Sequence, residues 1–148
     1  YLNISNLMGI EAFILLSSLT CSDNQLISLD LSMNNALESL ECSNNELISL
    51  DVSHNPFLFY LRCDGNQITS LDVDINTELF ALFCNDNELT SLDVSQHIDL
   101  NQLFCHNNDL NCVKINSNLF QGWESFLNNN TALTCIDSRK EILSYNLS

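Results

Sequence analysis

Positive charge is the scarcest commodity in this sequence: Arg62, Lys114, Arg139 and Lys140 stand against 19 acidic residues, for a formal net charge of -15. Binding to a polyanion draws its free energy from counterions released when many cations meet phosphates on one face. This chain cannot supply them, so nucleic acid and anionic membrane surfaces are excluded as partners. Long apolar runs are missing as well. The longest, Ala12 to Leu16, falls far short of the ~20 residues a helix needs to cross a bilayer, so no membrane insertion is expected. Glycine is rare, at 3 of 148 residues, and neither a phosphate-cradling nor a calcium-ringing Gly-rich loop is present. No nucleophile elbow or isolated carboxylate pair stands out, and His54, His97 and His106 fall at different places in the pattern described below. Neither an enzymatic centre nor a cofactor is therefore expected. The chain opens at Tyr1 with no Met, basic stretch or cleavable apolar segment, so any targeting segment is expected to have been removed or to lie outside this sequence.

What the sequence has is a repeat. The pattern L-x-C-x-x-N-x-L-x-x-L-D-V-S-x-N-x-x-L-x-x returns every 21 residues from Leu19 to Asn118, with units beginning at Leu19, Leu40, Leu61, Leu82 and Leu103. A fixed period of this size is the signature of a solenoid, in which each coil buries its apolar residues only by stacking on its neighbours. Leu40 and Cys42 alternate with Ser39, Glu41 and Ser43, and Leu50 and Val52 alternate with Ser49, Asp51 and Ser53. Period-2 alternation marks half-buried strands. Each coil is therefore expected to carry two short strands, forming two parallel sheets on opposite walls of a narrow right-handed coil, with coils ~4.8 Å apart. Asn24, Asn45, Asn66, Asn87 and Asn108 form one column; Asn34, Asn55 and Asn76 form a second, with His97 in its fourth place. Stacked amides at such bends satisfy backbone groups that face no water.

One elongated domain is expected, with an irregular first coil or partial cap over 1–18, five repeats over 19–118, and a cap and tail over 119–148. In the first part Leu2 and Ile4 read as a strand and Gly9 to Phe13 as a short helical turn. An N-terminal capping helix is expected upstream of Tyr1, because an open solenoid end leaves core and sheet edge to water. At the other end Lys114 takes the place of the Asp found one coil earlier. Leu119, Phe120, Trp123, Phe126 and Leu127 then make the stripe of a short C-terminal capping helix. Thr131 to Ile136 reads as a final strand and Asp137 to Ser148 as a weakly ordered tail.

Seven cysteines divide in two. Cys21, Cys42, Cys63, Cys84 and Cys105 are spaced by 21 and belong to the repeat as a buried ladder of small hydrophobes. A line of thiols does not converge on a tetrahedral metal. Cys112 and Cys135 flank the proposed lid, where a disulfide would add about 3 kcal/mol in an oxidising compartment; two unbonded thiols are the alternative.

Because the units are equivalent, outward positions can be compared coil by coil. On the second wall the triplets Ser28-Asp30-Ser32, Ser49-Asp51-Ser53, Ser70-Asp72-Asp74 and Ser91-Asp93-Ser95 are nearly identical. Such uniformity indicates a structural rule, with hydrogen-bonded Asp30, Asp51, Asp72 and Asp93, or alternatively a calcium ladder. The first wall varies instead: Ser18-Thr20-Ser22, Ser39-Glu41-Ser43, Tyr60-Arg62-Asp64, Ala81-Phe83-Asn85 and Gln102-Phe104-His106. Tyr60, Arg62, Phe83, Phe104 and His106 are thus the candidate ligand-binding face, contiguous aromatics with one Arg suiting an interaction patch. Cross-strand packing alone is the alternative.

The pattern resembles the bacterial leucine-rich repeats, and within them the 21-residue IRREKO class of nested L-x-L-x-x-N-x-L half-repeats. The Cys at the third position, the Leu50-Asp51-Val52-Ser53 tetrad and the closing Leu119 to Phe126 segment are most similar to the repeat regions of secreted or surface proteins of Bacteroidetes and flavobacteria. The resemblance implies a leucine-rich-repeat solenoid that serves as a non-catalytic recognition or adhesion module of an exported protein. A protein ligand is the expected partner. Calcium-dependent carbohydrate binding, or a purely structural spacer, are the alternatives.

Overall fold

The computed structural model describes residues 2–116, 127–138 and 141–143. The first wall is one continuous parallel sheet of five strands, β1 (Ser18–Thr20), β2 (Ser39–Glu41), β3 (Tyr60–Arg62), β4 (Ala81–Phe83) and β6 (Gln102–Phe104), in the order β1-β2-β3-β4-β6. Its register is the sequence period: Leu19 pairs with Leu40, then Leu61, Leu82 and Leu103. Between β4 and β6 the chain crosses to the other wall, where β5 (Ser91–Val94) pairs with β7 (Cys112–Ile115), β7 with β8 (Cys135–Ser138), and β8, antiparallel, with β9 (Glu141–Leu143).

The inward positions are as the alternation requires. Leu40, Leu61, Leu82, Val52 and Val94 are fully buried, each contributing roughly 1.5–3 kcal/mol by leaving water. The cysteine column is buried with them, and desolvation pushes the Cys63 and Cys105 thiols up to about 12 and Cys21 to about 11. These are neutral core groups.

The asparagine columns close the bends. The Asn66 amide nitrogen donates to the carbonyls of Cys42, Cys63 and Asp64, while its Oδ1 accepts from the backbone N–H of Leu47 at 3.1 Å. Asn45 and Asn108 repeat this set one and two coils away. The series continues at Asn130, whose Oδ1 accepts from Leu110 N–H and whose amide donates to Cys105 O. It sits 22 rather than 21 residues beyond Asn108, so the fixed period misses it. In the second column Asn55 donates to Leu31 O and Asn34 O, and Asn76 to Val52 O and Asn55 O. His97 keeps the same connection through Nε2, which donates to Val73 O at 3.0 Å. Imidazole thus replaces amide without opening the bend.

Before each asparagine of the first column the backbone turns left-handed at Asp23, Asn44, Gly65, Asp86 and Asn107. Asn and Asp tolerate that conformation. Gly65 is the one glycine in the series, and a Cβ there would collide with Asn44 Oδ1.

Four expectations need correction. The second wall is not strand in every coil: the stretches around Leu50 and Leu71 are inward but unpaired as sheet, and pairing begins only with β5 and β7. Leu2 and Ile4 form no strand; Leu2 is exposed, and Ile4 is held by Asn24 Oδ1 and Gln25 N–H instead. The last parallel strand begins at Cys135 and extends to Ser138, because its register is fixed by β7 rather than by the apolar run Ala132–Leu133. The segment after it, expected as a tail, supplies β9. The short turn after Gly9 is present as a 3-10 helix over Ile10–Ala12. The capping helix falls outside the described residues except for Leu127, which packs against the core.

Candidate recognition surface

Outward side chains of a parallel sheet with 21-residue register stack in columns, so the face is built by whichever residues occupy equivalent places. Arg62, Phe83 and Phe104 are register partners across β3, β4 and β6. The Phe83 and Phe104 rings stack at 4.8 Å between centroids with an interplanar angle of 9°. Tyr60 tilts against Phe83 at 5.7 Å, and the Arg62 guanidinium lies 5.7 Å from the Phe83 centroid. Four of the five residues singled out in the sequence are thus one contiguous unit. Arg62 is exposed, whereas Tyr60, Phe83 and Phe104 are half-buried, because the rings pack against one another.

The charged side chains around this stripe engage close neighbours. Arg62 Nε donates to Asp64 Oδ1 at 2.9 Å, and Asp64 beside it raises the guanidinium pKa. His106, the fifth residue, stands 4.0 Å from Asp86 Oδ2. Burial opposes ionisation of Asp86, but donation from Asn85 and Asn107, each at 2.6 Å, and the neighbouring His106 outweigh it and hold the carboxyl below its usual value.

Sequence comparison of strand positions missed Phe57, Phe59 and Phe80. All three are exposed on the bend that leads into the first wall. The signal was available one place earlier: Ser17, Glu38, Phe59, Phe80 and Asn101 vary as the wall does.

The second wall behaves differently. Asp30, Asp51, Asp72 and Asp93 each accept a hydrogen bond from the backbone N–H two residues on, at 2.9–3.1 Å. Donation from Ser32 and Ser53 lowers the pKa of Asp30 and Asp51. Ser49, Asp51, Ser70, Asp72 and Asp74 border a shallow groove of about 430 Å³. Among the described residues, no group of three His, Cys, Asp or Glu is arranged to hold a metal ion. Asp93 Oδ2 is engaged by Lys114 Nζ at 2.9 Å. Cys112 is disulfide-bonded, and the backbone of Cys135 is its register partner.

No family model matches the chain, and no curated protein matches it in sequence. Solved structures do match, 31 chains in all. An internalin of Listeria monocytogenes superposes with a TM-score of 0.67 at 19% identity, over 91% of this chain and 38% of that protein. A leucine-rich-repeat protein of Leptospira interrogans gives 0.63 at 22% identity, over 87% of this chain and 32% of its own length. The functional domain of InlJ from Listeria monocytogenes, at 24% identity over 92% of this chain and 51% of that one, superposes with a TM-score of 0.33. The chain spans about a third of the two proteins it superposes on well. By fold, it is a leucine-rich-repeat solenoid of the kind found in bacterial proteins.

Proposed function

We propose that this protein is a non-enzymatic recognition module that binds a protein partner through the first wall, at Tyr60, Arg62, Phe83, Phe104 and His106, with Phe59 and Phe80 at its edge. The observation that carries the reading is the coincidence of variability with aromatic stacking: among the described residues, the stacked rings lie on the wall whose equivalent positions differ. A rigid sheet presents these side chains with little rotamer freedom left to lose, which is the condition for tight association from a modest area. A sugar ring stacks on a free aromatic face, and both faces of Phe83 are already occupied by Arg62 and Phe104. Apolar side chains of a protein partner meet ring edges without that requirement.

The repeats are of the IRREKO type in this reading, and the module belongs to a secreted or cell-surface protein. The bonded Cys112 supports an oxidising compartment. Its partner is Cys135, and non-reducing peptide mapping should recover the two in one cross-linked fragment. Binding itself is tested on arrays of surface proteins and of glycans, with calcium and with chelator. Association with proteins that is lost in Phe83→Asp/Phe104→Asp and indifferent to chelator is expected. Glycan binding that chelator abolishes would move the site to the Asp30, Asp51, Asp72 and Asp93 ladder and overturn the proposal.

A further inference from the structure

Resting on the recognition reading above, the geometry points to the kind of partner: we infer that the first wall docks a protein segment combining apolar side chains with an excess of lysine and arginine. The stripe of ring edges calls for the apolar part. Its border supplies the rest. Glu38 is exposed on the bend before β2, Glu41 is the register partner of Arg62, and Asp86 lies beyond β4 with its side chain 49% exposed. Asp86 is held ionised against burial by the Asn85 and Asn107 amides.

The cations on this wall are few and already engaged: Arg62 is bonded to Asp64 and stands opposite Glu41, and His106 lies 4.0 Å from Asp86 Oδ2. Of the four basic residues in the sequence, Arg62 is tied to Asp64 and Lys114 stands on the opposite wall beside Asp93, while Arg139 and Lys140 lie outside the described residues. An anionic partner would meet an acidic excess, Glu38, Glu41, Asp64 and Asp86 against Arg62, at a cost set by like-charge juxtaposition. A cationic one gains pairs at the rim and is steered toward it by the field of the net charge of -15.

The test is selection from a random dodecapeptide library on the wild type, with counter-selection on Phe83→Asp/Phe104→Asp. That variant is two charges more acidic and removes peptides that bind by charge alone. If circular dichroism shows it unfolded, Phe83→Thr/Phe104→Thr takes its place, since Thr suits a strand. Surviving peptides should carry a net positive charge together with apolar residues. Glu41→Gln/Asp86→Asn should weaken them about tenfold at low salt and flatten their salt dependence, whereas Asp51→Asn/Asp72→Asn on the other wall should change binding less than about threefold. Neutral or acidic survivors would refute the cationic partner while leaving the wall as the site. No survivor at all, with every peptide captured by the wild type also binding the variant, would refute the wall itself, and with it both proposals.

Discussion

The two walls of this solenoid invert the ordinary relation between sequence regularity and structural regularity. The first wall is variable in sequence yet pairs as sheet through every coil from β1 to β6. The second is nearly invariant in sequence yet pairs only from β5 onward. Charge accounts for the difference. Stacked coils bring equivalent residues opposite each other, and like charges directly opposite weaken a strand pair. Asp51, Asp72 and Asp93 repeat that confrontation, and each carboxylate also binds its own chain two residues on, a local arrangement that competes with the ladder. Pairing starts where Lys114 meets Asp93. On the first wall the charged neighbours Glu41 and Arg62 are already opposite in sign. A wall free of the repeated carboxylate can vary outwardly without losing its sheet.

Breaking the comparison altogether requires an inward change, because both walls share one core. Val52→Asp places a charge at a fully buried position with no partner, and loss of the cooperative thermal transition is expected. Unchanged melting would refute the inward assignment of the second wall. Next in size come the bends. Asn66→Ala leaves the buried Leu47 N–H without its acceptor, at roughly 1–3 kcal/mol, and takes one donor from each of the carbonyls of Cys42, Cys63 and Asp64, which keep Asn45, Asn87 and the Asn44 N–H. Asn55→Ala removes only the donations to Leu31 O and Asn34 O, since Asn55 Oδ1 has no partner among the described residues. Chemical denaturation should rank the first variant well below the second.

The charge account is sharpened by Lys114→Asp, which restores the column's acid. The pair is exposed, so about 1 kcal/mol or less of global stability is at stake, but hydrogen exchange should show the β5–β7 amides losing protection while β1 to β4 keep theirs. Acid is the gentlest probe. Asp30, Asp51 and Asp93 have folded-state pKa values below 3.8, the first two through bonds from Ser32 and Ser53, the third because Lys114 and Ser95 outweigh its desolvation. The stability they contribute is fully present above 3.8 and is lost as pH falls below it through the lower folded values. A thermal-unfolding series should therefore be flat down to about pH 4 and decline beneath it, less steeply in Asp51→Asn.

Much of this was legible without coordinates. The 21-residue period carried the register, the core columns and the asparagine bends, since each follows from one unit stacking on the next. It could not reveal the broken second sheet, because L-D-V-S reads as a strand whichever way its amides are satisfied. Nor could it reach Asn130, displaced by one inserted residue, or β9, whose antiparallel pairing lies outside the repeat. At the site, comparing coils brought out Tyr60, Arg62, Phe83 and Phe104 as one face. That their rings would bury each other's faces depends on side-chain angles that spacing does not encode.

The central claim, that recognition resides on the variable wall and not the uniform one, is tested most directly by changing one wall at a time and measuring affinity for a protein ligand captured on the array. Phe83→Asp/Phe104→Asp should abolish binding with the melting transition retained, while Asp51→Asn/Asp72→Asn leaves affinity within about threefold, less than 1 kcal/mol. The reverse pattern, with binding kept in the first variant and lost in the second, would contradict the account.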